Sequence, residues 1–229
     1  MTQLDNFKIK TQSMEQKKIS LHLVLIASII LALIELLTAG VIINTDVSPL
    51  IAIGFARIAE IAAMVFILLR WRNGLESIVL HKDTIVTGFR RGILWSASFG
   101  ICALLILGVL LILDYNLLHI FQPPAQKSLI GIFLLLVVGA LISPVAEEIF
   151  FRGIVYGYLR RRNAILAILG STTLFCMVHF FTTGLSFIQL IGGLVFAIAY
   201  EMEKNLLVPI TIHVLGNMAI FILSIMLAL

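Results

Sequence analysis

Between residues 20 and 43 the chain reads "SLHLVLIASIILALIELLTAGVII", with His22 and Glu35 its only ionisable groups. A helix needs roughly 20 apolar residues to cross the hydrocarbon of a bilayer, so this stretch narrows the possible folds at once. It does not stand alone. Comparable runs cover about 49–70, 92–117, 128–159, 164–181, 185–200 and 206–229. Composition agrees: 61% of the residues are hydrophobic and 12% charged, with a mean hydropathy of +1.12. A soluble domain carries about a quarter charged residues, and no soluble fold of this size could hide so much apolar surface. Backbone in hydrocarbon must satisfy its own hydrogen bonds. The expected fold is therefore all-α, a polytopic bundle of transmembrane helices. The run 128–159 is too long for one straight span and contains Ser143-Pro144, where proline removes a backbone bond and bends a helix. Counted as one bent span it gives seven crossings; counted as a hairpin or re-entrant pair it gives eight.

The charged residues order these spans. Residues 1–19 are polar, carry Lys8, Lys10, Lys17 and Lys18, and read as a cytoplasmic tail ahead of one integral membrane domain, 20–229. No cleavable signal peptide is expected, because the first apolar run is long enough to span and lacks a small-residue cleavage site. The tail, the basic stretch from Arg70 to Arg91, the cluster Arg160–Arg162 and the turn at Lys204 fall on one side; the loops near Asp46, Asp114 and Thr182 fall on the other. That is the positive-inside pattern, with the N-terminus cytoplasmic. The net charge of +4 and pI near 9.3 follow from these flanks, and no basic strip interleaved with aromatics suggests a nucleic-acid partner. The spaced Ile, Val and Leu within 70–91 suggest a short interfacial element, and Pro123-Pro124 stops a helix. There is no repeat and no second domain. Cys102 and Cys176 lie in apolar runs without metal or redox spacing and read as small buried hydrophobes.

Ionisable residues at membrane depth cost a few kcal/mol or more and need a reason. Arg57 and Glu60 are three apart on one helix, with Glu35 able to join them from the first span; their spacing suggests a structural ion pair between helices. Glu148 and Arg152 are four apart, with Glu on the favourable N-terminal side. Such a pair leaves Glu147 alone on another face, where low dielectric makes a carboxylate a tunable general base. His179 closes "FCMVH" with Phe175 on the same helical face, and His213 shares a face with Asn217 in "HVLGN". Gly216, between the last two, would let a neighbouring helix approach closely.

These three stretches, "EEIFFR" at 147–152, "FCMVH" at 175–179 and "HVLGN" at 213–217, match in order the EExxxR, FxxxH and HxxxN motifs. The chain therefore resembles the CPBP family, the CAAX-processing endopeptidases and bacteriocin-processing relatives also called Abi proteins. The resemblance covers about 143–217, with a catalytic core of about 128–229. "WRNGLESIVL" also resembles the interfacial segment that precedes that core. The resemblance implies an intramembrane endopeptidase of glutamic type, acting on a membrane-associated protein or peptide. Carried over by motif, Glu147 and His179 position and activate a water, His213 and Asn217 stabilise the tetrahedral oxyanion, and Glu148 and Arg152 support the site. It implies an integral membrane protein, in the plasma membrane if bacterial.

Two other readings compete. Glu147, His179 and His213 could hold zinc in the two-His, one-carboxylate manner with an open water position, although the HExxH signature of helical zinc proteases is absent. A zinc site orients each histidine through a carboxylate or carbonyl on its other ring nitrogen. The obvious spare carboxylate, Glu148, already has Arg152 as a partner, and Asn217 looks like a donor rather than a ligand. The expected cofactor is therefore none, with zinc the alternative. The other reading is a non-enzymatic immunity or scaffold protein, or a transporter, against which the intact motif residues and the lack of inverted repeats both argue. No GxGD marks an aspartyl protease, and "GLSF" at 184–187 only faintly resembles a rhomboid serine site, with Ser186 at a loop edge.

Overall fold

The computed structural model describes residues 19–70, 84–114, 128–183 and 187–228. Every regular element among them is a helix: α1 Leu21–Asn44, α2 Pro49–Arg70, α3 Ile85–Ile112, α4 Leu129–Leu159, α5 Ala164–Thr183, α6 Phe187–Glu203 and α7 Leu207–Ala228. The all-α expectation holds. The number of crossings is where structure and sequence differ. Five helices (α1, α2, α3, α4 and α7) are long and apolar enough to span a membrane, and α5 contributes a shorter apolar stretch, Ala164–Phe180, among the described residues. At 17 residues, α6 reaches about 26 Å, just short of a hydrocarbon core of roughly 30 Å. The run 128–159 is one continuous helical element, not a hairpin.

Local chemistry sets several of these ends. The hydroxyl of Ser20 accepts from the Leu23 N–H at 3.2 Å and that of Ser128 from Gly131 at 3.0 Å, each satisfying one of the donors a helix start leaves over. Asn163 accepts from Leu166 N–H at 2.7 Å at the start of α5. The third helix begins at Ile85 rather than near 92, so Arg90 and Arg91 lie on its early turns and not in a loop. A hydropathy reading stops at charges, but a helix continues past the hydrocarbon while its arginines reach for the headgroups. The interfacial element expected over 70–91 otherwise falls on 71–83, outside the described residues, as do the tail 1–18 and Pro123-Pro124.

The bend expected at Pro144 takes another form. Two π-helical stretches, Leu135–Ile142 and Ile149–Tyr156, flank a short α-helical stretch, Ser143–Glu148. The Ser143 N–H reaches back to the carbonyl of Val138, the longer bond of a widened turn. Pro144 has no N–H to offer, and the chain absorbs that loss in turns of π geometry, a feature concentrated at functional sites. Glu147 and Glu148 thus close the α-helical stretch while Arg152 lies in the second π stretch.

A core of Leu23, Ala27, Met64, Leu68, Ala146, Ile149, Ile154, Ala197 and Tyr200 joins α1, α2, α4 and α6. Helices α3 and α7 meet through Gly88 and Gly92. A Cβ on Gly92 would stand 2.5 Å from Thr211 Cβ, and one on Gly88 2.5 Å from Asn205 Nδ2. This small-residue seam corrects the expectation for Gly216, which has nothing within 4 Å of where its Cβ would be. Asn205 clamps the same corner: its Oδ1 accepts from Leu207 N–H and its Nδ2 donates to Thr84 O, both at 3.0 Å. Outward faces carry exposed Leu36, Leu37, Leu104, Leu105 and Ile112, as lipid contact requires. Cys102 is among the exposed residues rather than buried, and Cys176 is partly buried.

Candidate active site

The motif residues lie on three helices, α4, α5 and α7. Glu148 and Arg152 are both completely buried. Arg152 Nη1 donates to Glu148 Oε1 at 2.8 Å, and Nη2 donates to the Gly193 carbonyl of α6 at 3.0 Å. The guanidinium also lies over the rings of Phe175 and Phe196, at 4.9 and 5.3 Å from their centroids, a geometry that favours a desolvated cation. The pair predicted from i,i+4 spacing is therefore present, and it is more heavily held than the spacing alone indicates.

Glu148 Oε1 has a second partner: His213 Nδ1 lies 2.8 Å away. A carboxylate oxygen has more than one lone pair, so the arginine does not exhaust it. This overturns the argument that Glu148 is already committed and cannot orient an imidazole. His179 is braced in the same way, with Nδ1 2.9 Å from the carbonyl of Phe175. A carbonyl can only accept, and Glu148 Oε1, which already accepts from Arg152, accepts here as well. Each Nδ1 therefore donates a hydrogen to its partner, which leaves Nε2 of both rings facing Glu147.

The other nitrogens converge. His179 Nε2 and His213 Nε2 each lie 3.8 Å from one atom, Glu147 Oε2. That oxygen is buried, and no donor among the described residues reaches it within hydrogen-bond distance. Each Nε2 stands beyond direct hydrogen-bond distance of that oxygen, a gap that one bridging water oxygen at about 2.8 Å from each of two partners spans. Glu147, His179 and His213 are thus brought together as the motif spacing suggested. Asn217 is one turn on from His213 in α7, with its Nδ2 donating to the Gly139 carbonyl of α4 at 3.1 Å; one amide hydrogen ties the two helices and the second remains for other use.

Glu35, Arg57 and Glu60 also come together. Arg57 Nη1 meets Glu60 Oε2 at 2.5 Å, and Nη2 pairs with Glu35, joining α1 to α2 as expected. An apolar groove of about 560 Å³ runs between α1 and α2, and a cleft of about 270 Å³ is lined by Arg91, Trp95 and Glu203. Neither is lined by Glu147, His179 or His213, so convergence of side chains identifies the site and concavity does not. Ser186 lies outside the described residues.

Sequence reasoning missed the contribution of α6. Gly193, Phe196 and Glu201 belong to no motif. Glu201 accepts both Arg160 Nε at 2.8 Å and Arg160 Nη2 at 2.9 Å, pairs with Lys204 at 2.7 Å, and accepts from the Tyr156 hydroxyl. The arginine cluster read only as a topology marker is therefore also a strap between α4 and α6. The one available signal was an acidic residue at a basic helix end.

Comparison with known proteins bears on the class of protein. Residues 129–219 match the family described as "Type II CAAX prenyl endopeptidase Rce1-like", a span that contains all three motifs and both braced histidines. A Bacillus subtilis protein, YdiL, named as a candidate membrane peptidase, is 28% identical over 191 residues, covering 79% of this chain and 75% of its own. No solved structure matches the chain significantly. The resemblance read from the motifs is supported: residues 129–219 are similar to the CAAX protease family, most of the chain is similar to a protein named as a membrane peptidase, and the long apolar helices are those of an integral membrane protein.

Proposed function

We propose that the chain is an intramembrane endopeptidase in which Glu147 activates a water molecule for attack on a peptide carbonyl. The observation that carries this reading is the meeting of Glu147 Oε2 with two imidazole Nε2 atoms at 3.8 Å, each ring held from behind through Nδ1. Glu147, oriented with His179, takes a proton from the water as its oxygen bonds to the carbonyl carbon. The carbonyl π pair moves to oxygen, and that oxyanion is stabilised by the second Asn217 N–H and by His213, which donates through a hydrogen on Nε2 while its Nδ1–H stays on Glu148. The intermediate collapses, the C–N bond breaks, and the proton held by Glu147 passes to the leaving nitrogen. Glu148 and Arg152 hold His213 and do not touch substrate. The substrate class is a membrane-associated protein or peptide with a CAAX-like end, a leader or a C-terminal sorting peptide. We further propose seven crossings in the plasma membrane, with residues near position 5 in the cytoplasm and those near 229 outside; thiol labelling of both ends from one side would contradict this.

The test is comparison of peptide termini in membranes carrying wild-type protein or Glu147→Gln. The amide accepts no proton, so a terminus should disappear while the variant still inserts, with a loss of about 10²–10⁴-fold in turnover. Absence of any Glu147-dependent terminus would favour a non-enzymatic immunity or scaffold role.

A zinc-dependent reading has one observation in its favour, since metal-bound histidines are braced at the second nitrogen in just this way. Spacing favours water. Ligands at about 2.0–2.1 Å in a tetrahedral zinc site stand roughly 3.4 Å apart, closer than the 3.8 Å separations from Glu147. Protein treated exhaustively with a strong chelator, and shown by elemental analysis to be metal-poor, is expected to keep its activity. Loss restored by zinc would make Glu147, His179 and His213 the ligands.

A further inference from the structure

Two contacts fix His213, and only one of them comes from a motif residue. The hydrogen bond from Nδ1 to Glu148 pins one corner of the ring. A single hydrogen bond still tolerates libration of the ring about its side-chain torsions, and that motion carries Nε2 away from Glu147. The ring plane is set by Phe196 of α6, whose centroid lies 4.5 Å from that of His213 with 21° between the planes. Phe175 meets the same imidazole only edge-on, at 5.9 Å and 79°. Phe196 is itself immobilised. It is 8% exposed and packs with Ala199, Val208 and Ile212, and it lies under the Arg152 guanidinium. One turn earlier on the same face of α6, Gly193 gives its carbonyl to Arg152. That approach needs glycine, because a Cβ there would stand 3.0 Å from Thr172 Cγ2 and 3.3 Å from Phe175 Cδ1.

We infer that Phe196 is a positioning residue for the peptidase reaction: its ring face holds the His213 imidazole in the plane that aims Nε2 at Glu147. Helix α6, which contributes no motif, is then part of the machinery through a flat surface and a backbone carbonyl. The inference rests on the proposed role of His213 for its catalytic meaning, but not for its structural content. A ring misaimed by about 1 Å loses on the order of 10²-fold in rate, which sets the scale of effect for a residue that makes no contact with substrate.

The experiment uses the full chain in nanodiscs with ¹⁵N-labelled histidine, comparing wild type, Phe196→Leu and Val208→Ala. Leucine keeps apolar bulk and removes the flat face. Val208→Ala opens the same packed cluster without touching the imidazole and serves as the control for loosened packing. The readout is hydrogen exchange of the His213 Nδ1–H, which the Glu148 bond protects. Phe196→Leu is expected to speed it roughly tenfold, the scale of one lost aromatic contact, while Val208→Ala leaves it near wild type. On a Glu147-dependent peptide, kcat should fall by roughly 10–100-fold with little change in KM. Unchanged exchange in Phe196→Leu, or equal acceleration in Val208→Ala, overturns the inference. Failure to find a Glu147-dependent peptide would count against the peptidase reading alone, since the exchange measurement needs no substrate. If the leucine variant does not insert, Phe196→Met, whose side chain adapts more readily to an irregular site, carries the same comparison.

Discussion

Two of the charge clusters in this bundle are built from nearly the same parts. In one, Arg57 bridges Glu60 on its own helix and Glu35 on α1; in the other, Arg152 pairs with Glu148 one turn away. The surroundings separate them. Glu60 is enclosed, but Glu35 is 47% exposed and Arg57 21%, whereas Glu148 and Arg152 are both fully enclosed. Arg57 is bonded to carboxylates on two adjacent helices. Arg152 is bonded to a carboxylate, a carbonyl of a distant helix and two aromatic faces, and its carboxylate passes the constraint on to an imidazole. An ion pair that ends in itself is a strut. One that orients a third group is part of a site.

Breaking each arginine should show the difference. Arg152→Met leaves Glu148 buried and without its cation, a loss of about 3–5 kcal/mol. It should lower the thermal midpoint in nanodiscs sharply and abolish cleavage in the fraction that remains folded. Arg57→Met should cost less, about 1–2 kcal/mol, the upper range measured for polar contacts between membrane helices, with cleavage by the folded fraction within a few-fold of wild type. Cleavage lost in Arg57→Met at an unchanged midpoint would place that cluster in the chemistry too and erase the distinction.

The clusters were equally visible in the sequence, which explains how far such a reading extends. Charges inside apolar runs are conspicuous because each is costly, so Glu147, Glu148, Arg152, His179 and His213 could be singled out from position alone. The hold on His213 could not. Gly193 contributes a carbonyl, which every residue has, and Phe196 contributes a ring face, which looks like any other aromatic in an apolar helix. Their roles exist only once α6 is packed against α4 and α7. Gly216 failed for the converse reason: a glycine permits close approach but does not say which helix approaches, and here the seam formed at Gly88 and Gly92. Helix lengths were read better than their ends, since hydropathy records where charges begin and not where hydrogen bonding stops. The π turns beside Pro144 left no separate mark, because a missing donor announces a disturbance without specifying how the backbone will accommodate it.

The bracing of both imidazoles has a consequence for energy supply. Each Nδ1 hydrogen points at a group with no onward path for it: a helix carbonyl for His179, and for His213 a carboxylate oxygen that already accepts from Arg152. Neither ring can then serve as a wire from the reaction to the aqueous phases. Under the proposed mechanism the proton taken from water leaves on the new amine, so each turnover balances its own protons within the site. Such an enzyme would be electrically and chemically isolated from the gradients across the membrane it sits in. In proteoliposomes, imposing a pH difference of either sign, with the pH held constant on the side where substrate is added, should leave the cleavage rate unchanged. A rate that follows the gradient would mean that one of these rings conducts.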